Sequence, residues 1–101
     1  QVLRTELNIQ RNFFHQFRVY VEEGDALSFS TMSIGAIDVD PMMVLMQDGV
    51  VIAGNDDTDL TLNSALFNIE FEQSGWVSVY VGLAGAGADK GTVSFNVQPA
   101  N

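Results

Sequence analysis

Residues 76–83 read Trp-Val-Ser-Val-Tyr-Val-Gly-Leu. Apolar residues alternate there with Trp76, Ser78 and Tyr80, and this period of two is the pattern of a strand that buries one face. Comparable runs, alternating or continuously apolar, recur along the chain at 3–9, 13–21, 27–31, 42–47, 50–53, 65–72 and 92–97. Since helical periodicity is nearly absent, we expect an all-β protein, an antiparallel, jelly-roll-like β-sandwich of about seven or eight strands.

Turn residues separate these runs. Gly24-Asp25 divides the second run from the third, and Ser74-Gly75 is expected to join the strands at 65–72 and 76–83. Asp48-Gly49 predicts a two-residue hairpin, because both residues tolerate the positive φ of a type I′ turn. The small-residue stretch 82–91 is expected to be a loop. No linker or repeat interrupts the pattern, so residues 1–101 are predicted to form a single domain.

One run differs from the others. Residues 42–46 read Met-Met-Val-Leu-Met, so both faces of the predicted strand are apolar. This pattern favours a central strand, or one whose outer face is covered by another surface. Pro41 precedes the run at a position where a strand can begin without a donor for the ladder.

The charge balance excludes several classes of protein. The chain has 13 acidic and 4 basic residues, a net charge of -9, and no cysteine. Nucleic-acid binding needs a basic surface, and docking on anionic lipid needs the same. No apolar run is long enough for a membrane-spanning helix. The chain begins at Gln without a signal-peptide pattern, so we expect a mature, processed product or a trimmed form of a longer protein. The absence of cysteine suits an exported protein, and we expect a secreted protein in an extracellular or cell-surface location with its signal peptide removed.

Charge is also distributed unevenly along the chain. Residues 1–20 carry three arginines against one glutamate, a net +2, whereas residues 21–101 carry a net -11. We expect the apolar, slightly basic arm of residues 1–12 to pair with a neighbouring copy of the protein. The alternative is that it forms the first strand of its own sandwich. The residues predicted to take part in self-association are Val2, Leu3, Arg4, Leu7 and Ile9.

The sequence has few residues arranged as a catalytic base, nucleophile or carboxylate pair would be. His15, the only histidine, lies on the apolar face of a predicted strand, and no serine nucleophile motif accompanies it. Glu70 and Glu72 share one strand face at a spacing that a carboxylate pair could use, but charged residues on a solvated sheet face explain them better. We therefore expect a protein that is not an enzyme.

Two other groups of residues suggest binding. Acidic and amide side chains crowd the segment 38–59, and carboxylate oxygens at loop ends are ligands that Ca²⁺ prefers. The same residues are also ordinary turn formers, so both interpretations stay open. Trp76 and Tyr80 are expected on one outer sheet face, where aromatic rings contact a protein or stack on a sugar, unless a loop of the same molecule covers them.

The order of these patterns resembles the bacterial pre-peptidase C-terminal (PPC) domain over about residues 17–98. The resemblance rests on the strand-turn-strand 17–29, the acidic, hairpin and Asn-Asp-Asp elements of 40–57, the strand 74–79 and the closing strand 91–97. The closing strand departs from the family at Val93, where Tyr is usual, and residues 1–12 have no counterpart.

The resemblance implies a non-catalytic, extracellular sandwich of eight strands, linked to secretion, adhesion to a substrate or stabilisation by calcium. The calcium ligands that it implies are Asp40, Asp48, Asp56 and Asp57. Two hypotheses of function follow. The first is a structural subunit that forms a filament or surface polymer, with its N-terminal strand donated to the next copy. The alternative is a calcium-stabilised accessory module of a secreted hydrolase that serves secretion or adheres to an extracellular polymer.

Overall fold

The protein consists of β-strands throughout the part that the structure describes. The structure is a computed structural model that describes residues 3–35, 39–55 and 65–99; for residue 55 and residues 84–87 it describes the backbone alone. The strands are β1 (Leu3–Gln10), β2 (His15–Val21), β3 (Ala26–Ile34), β4 (Val39–Gln47), β5 (Val50–Asn55), β6 (Ala65–Glu70), β7 (Gly75–Gly87) and β8 (Lys90–Pro99). Those residues include no helix with the length and apolarity that crossing a membrane requires.

The eight strands form two antiparallel sheets of four. The first sheet has the order β1-β8-β3-β6 and the second the order β2-β7-β4-β5. Four antiparallel pairs, β1–β8, β2–β7, β3–β6 and β4–β5, follow one another as successive parts of one long two-stranded ribbon. This ribbon folds over itself so that alternate pairs lie in opposite sheets. This wrapping is the arrangement of a jelly roll. The predicted all-β, antiparallel sandwich of about eight strands is therefore confirmed.

The core lies between the two sheets. It is formed by the inward-pointing residues of the alternating patterns, including every valine of 76–83 and the buried Val93, Phe95 and Val97 of β8. Phe17 of the second sheet stacks on Phe95 of the first, with ring centroids 4.7 Å apart. The run 42–46 lies on β4, an interior strand of the second sheet, as its continuous apolarity predicts.

The predicted hairpin at Asp48-Gly49 is confirmed. Asp48 has a φ of 53° and Gly49 a φ of 78°, which are the two positive values that a type I′ turn needs, and Gln47 pairs with Val50 across it. A second left-handed residue, Asn68 with a φ of 59°, lies where the pairing of β3 and β6 shifts register. Its N–H donates to Ser28 Oγ over 3.0 Å.

Three sequence predictions are wrong. The stretch 82–91 is not a loop, since β7 continues to Gly87 and β8 begins at Lys90. Backbone pairing of Gly87 with Val39 on β4 extends the strand where small residues offer no side-chain pattern to recognise. Residues 65–72 and 76–83 are not a pair, because β6 and β7 lie in different sheets. The strand predicted at 13–21 begins only at His15.

Candidate functional site

The two sides of the sandwich, where the edge strands lie, have opposite charge. We call the side formed by β1 and β2 the cationic side. Arg4 lies on β1, Arg18 on β2 and Arg11 directly after β1, while Lys90 pairs with Gln10 of β1. These are all four basic residues of the chain, including its only lysine. The fold therefore brings every basic residue onto or beside the edge strands β1 and β2, where Glu6 of β1 and Asp89, the partner of Arg11, are the accompanying acids.

The connection from β1 to β2 is held by polar contacts. Arg11 N–H donates to the carbonyl oxygen of Asp89 over 2.7 Å, and Arg11 Nε donates to Asp89 Oδ1 over 2.8 Å. His15 Nε2 lies 3.0 Å from the carbonyl oxygen of Asn8, to which it donates. An open groove of about 690 Å³ adjoins this connection, with the exposed rings of Phe13 and Phe14 in its wall.

The opposite side, formed by β5 and β6, is acidic. An open cleft of about 420 Å³ separates these two edge strands near the Asp48-Gly49 turn. Its apolar lining comes from Val50, Ile52, Ile69 and Phe71, and its charged lining comes from Asp48, Glu70 and Glu72. Because all four basic residues lie elsewhere, these three carboxylates make the side purely acidic. We call it the acidic side.

The residues predicted to take part in self-association lie on β1. All eight residues of β1 pair with β8 of the same chain, from Leu3 opposite Val97 to Gln10 opposite Lys90. Leu7 and Ile9 are buried in the core, Arg4 is exposed, and Leu3 is 38% exposed at the start of the strand. Val2 lies outside the described residues. In a single chain the arm is therefore the first strand of its own sandwich.

The outer face of the second sheet is unusually apolar. The alternation within β2, β7, β4 and β5 places seven apolar or aromatic side chains on it, and we call them the apolar face: Tyr20, Met42, Val44, Met46, Val51, Trp76 and Tyr80. Polar side chains on the same outer surface are Gln16, Arg18 and Ser78. The nearest carboxylate along β4 is Asp40, which lies at the register shift at the start of the strand and is 4% exposed. Trp76 is 54% exposed, Val51 58% and Tyr20 45%.

Aromatic contacts organise one end of the apolar face. Tyr20 meets the Trp76 ring edge-on, with centroids 5.5 Å apart and planes at 75°, and the Arg18 guanidinium lies 5.1 Å from the centroid of the indole. Tyr80 is half-buried on the same face. The predicted outward position of Trp76 and Tyr80 is confirmed, while their role in a contact stays a prediction.

The predicted calcium ligands do not come together as one set. Asp40 lies at the start of β4 and is 4% exposed, whereas Asp48 follows the end of the same strand. Eight residues of strand separate them by roughly 26 Å. Asp56 and Asp57 lie outside the described residues. Within residues 3–35, 39–55 and 65–99, no group of three or more His, Asp or Glu side chains is placed to hold a metal ion.

Of the residues considered for catalysis, His15 lies on the opposite side of the sandwich from Glu70 and Glu72. His15 is half-buried at the start of β2, on the cationic side. Glu70 ends β6 and Glu72 lies beyond the strand, so the two do not share a strand face as the pattern predicted. Both line the cleft on the acidic side.

Sequence reasoning found Trp76 and Tyr80 but missed most of the apolar face. Tyr20 and Val51 were recognisable only as members of strands, and the outer methionines were interpreted as a covered or central strand. The chain matches no model of a known protein family, and no curated protein matches it. The resemblance to PPC domains therefore stays a prediction.

Proposed function

We propose that this protein is a non-catalytic, extracellular structural subunit that assembles head to tail into a filament or surface polymer. One observation carries the proposal, namely that opposite sides of the sandwich bear opposite charge and that, among the described residues, no further strand pairs with the edge strands on either side. Complementary charges on two different surfaces of one molecule favour a contact that repeats from copy to copy instead of closing.

Strand direction supports the same contact. Each sheet has four antiparallel strands, so its two edge strands run in opposite directions. A copy displaced sideways along the sheets therefore brings β6 of one molecule antiparallel to β1 of the next, and β5 antiparallel to β2. Antiparallel addition at an open edge supplies backbone hydrogen bonds without rearrangement of either molecule.

Exchange of β1 between copies is a second form of the same assembly. A donated β1 would make the same pairs with β8 of its neighbour that it makes within one chain, from Leu3–Val97 to Gln10–Lys90. The crossing between sheets at residues 11–14 would be the hinge. Deleting residues 1–12 does not test the exchange, because it also removes Leu7 and Ile9 from the core.

Reversing the charge of the acidic side tests the assembly. Wild-type protein is expected to form polymers that sediment and are visible by electron microscopy. The double variant Glu70→Lys/Glu72→Lys is expected to require at least tenfold more protein to polymerise, since it opposes the cationic side with like charge. Mixing it with Arg4→Glu/Lys90→Glu is expected to restore polymers, because each variant then complements the other.

The matched control is Glu22→Lys/Glu23→Lys, which makes the same charge change at exposed residues of the β2–β3 turn. It is expected to polymerise as the wild type does. A wild-type protein that stays monomeric at every concentration contradicts the proposed function. Polymers that are equally insensitive to all three charge variants contradict the head-to-tail contact.

A cysteine pair distinguishes docking from strand exchange. The chain has no cysteine, and Glu6 and Ser94 lie directly opposite each other on β1 and β8. Their Cα separation in an antiparallel ladder suits a disulfide. After polymerisation and oxidation, Glu6→Cys/Ser94→Cys is expected to give covalent multimers on a non-reducing gel if β1 is exchanged, and only monomers if each copy keeps its own β1.

The accessory-module hypothesis stays as the second candidate, and the exposed ring of Trp76 favours it. Under this hypothesis the protein is a monomer that adheres to an extracellular polymer and is stabilised by calcium, although Asp40 and Asp48 lie at opposite ends of β4 and could not bind the same ion. A melting temperature that rises with Ca²⁺ and falls with a chelator would support its calcium site, because a ligand that binds the folded state stabilises it.

A further inference from the structure

The apolar face requires an explanation beyond the head-to-tail contact, because it lies on the broad surface of the second sheet and not at an edge. Its most exposed members are Val51, Trp76 and Tyr20, at 58%, 54% and 45% exposure. Contiguous apolar patches on a protein surface are often functional contact surfaces.

We propose that the apolar face packs against the apolar face of a second copy, so that polymers of this protein associate side by side. The inference rests on the proposed function and adds a lateral contact to it. The two sheets would stack face to face, about 10 Å apart, as sheets do inside a sandwich.

Charge identifies a second copy as the occupant. The chain carries a net charge of -9, so two copies repel each other over most of their surfaces. The outer surface of the second sheet has Arg18 as its one charged side chain among the ten described above, and the Trp76 ring accepts that guanidinium within the same molecule. Apart from the head-to-tail contact between the cationic and acidic sides, a second copy can therefore approach this surface with little charge repulsion.

Trp76 keeps enough exposed ring to contact a sugar, but the face as a whole suits a second copy better. Sugar recognition combines an open ring face with polar groups that orient the hydroxyls. Arg18 and Tyr20 both approach the Trp76 ring here, and Gln16 Nε2 already donates to Ser78 Oγ over 3.4 Å. The outward side chains of β4 on this face are Met42, Val44 and Met46, which adapt to another apolar surface but donate no hydrogen bonds.

The size of the face explains why the contact would join polymers and not free subunits. Four strands about 4.8 Å apart, with roughly seven rows of residues, give about 400 Å² per copy. A stable protein contact buries about 800 Å² per partner. One pair of faces is therefore too small to hold two monomers together, whereas many aligned pairs along two polymers reinforce one another.

The only tryptophan of the chain reports on this contact directly. Trp76 is expected to shift its fluorescence emission to shorter wavelength, and to lose most of its quenching by acrylamide, when polymers associate laterally. The variant Tyr20→Ser/Val51→Ser keeps the tryptophan and weakens the face. It is expected to form single polymers of normal length with no bundles in electron micrographs, and with Trp76 still quenched.

The matched control is Met32→Ser/Phe67→Ser, which removes two side chains of similar exposure, 55% and 71%, from the first sheet. It is expected to form bundles as the wild type does. Bundles that persist in Tyr20→Ser/Val51→Ser overturn the inference and leave the proposed function intact. Loss of the single polymers themselves in that variant also overturns it, since the face would then belong to the head-to-tail contact.

Two further outcomes are informative. If Trp76 becomes protected only when insoluble cellulose or chitin is added, the face binds a polysaccharide and the inference is wrong. If the wild-type protein never polymerises, the proposed function and this inference fail together, whereas wild-type polymers that never bundle overturn the lateral contact alone.

Discussion

The two outer faces of this sandwich differ although the two sheets are built alike. Each sheet has four antiparallel strands, and both bury their inner faces in one core. The outer face of the first sheet carries mostly polar side chains on β1, β8 and β3, with exposed apolar residues at Met32 on β3 and Phe67 on β6. The polar ones include Arg4, Glu6, Asn8, Ser30, Thr92, Ser94 and Asn96. On the outer face of the second sheet lie the seven side chains of the apolar face.

The first sheet shows that this fold needs few apolar outward residues, since Met32 and Phe67 are its main exposed ones, at 55% and 71%. Its inner residues, such as Phe29 and Phe95, are fully buried while their strand neighbours remain polar. The apolar outward residues of the second sheet are therefore not required by the core, and exposing them carries a risk of aggregation. An arrangement that serves no folding need and carries that risk is consistent with a contact surface.

The largest loss of stability is expected from a substitution in the core, which the two sheets share. Phe95→Ala removes a fully buried ring that stacks on Phe17 across the core, so the free energy of unfolding should fall by about 3–5 kcal/mol. Urea denaturation of monomeric protein measures it. The control Asn96→Ala, on the outer side of the same strand, should change stability by no more than about 0.5 kcal/mol. A large loss in the control would mean that the outer face of the first sheet is structural.

A smaller loss of stability is expected from a substitution on the apolar face. Trp76→Ser removes a half-exposed ring with its contacts to Tyr20 and Arg18, and should lower the free energy of unfolding of the monomer by about 1 kcal/mol. A loss as large as that of Phe95→Ala would show that Trp76 is part of a packed interior. Such a result would remove the difference between the two outer faces. Trp76→Phe should retain most of the stability.

Most of the fold could be predicted from short sequence patterns. The alternation in 76–83 shows which side chains point inward, because the period of a strand is set by the backbone alone. Asp48-Gly49 likewise determines its own turn through the φ values of two adjacent residues. Predictions of this kind need no knowledge of which strands become neighbours.

The charged sides could not be predicted for the opposite reason. Lys90 joins the three arginines only because β8 pairs with β1, across some eighty residues of sequence. Glu70 lines the same cleft as Asp48 only because β5 and β6 end up at the same side of the sandwich. Position along the chain showed a basic arm and an acidic remainder, whereas the pairing of strands turned them into two opposite sides.

The smallest predicted effect concerns the boundary of the apolar face. Gly82 lies on the outer side of β7, and the ring of Phe14 covers it so closely that an added Cβ would lie 2.4 Å from the ring. The backbone of Gly82 is one that alanine adopts without strain. Alanine would therefore favour folding by restricting the unfolded chain, but only where the ring is absent.

Gly82→Ala should thus have opposite signs in two backgrounds. In the wild type it should lower the free energy of unfolding by up to about 0.5 kcal/mol, since the Phe14 ring is 57% exposed and can swing away from the new methyl group. In Phe14→Ala it should raise stability by about 0.4–1 kcal/mol. A double-mutant cycle measures the coupling. A coupling near zero would mean that Phe14 does not cover Gly82, and the apolar face would then extend to the end of the sheet.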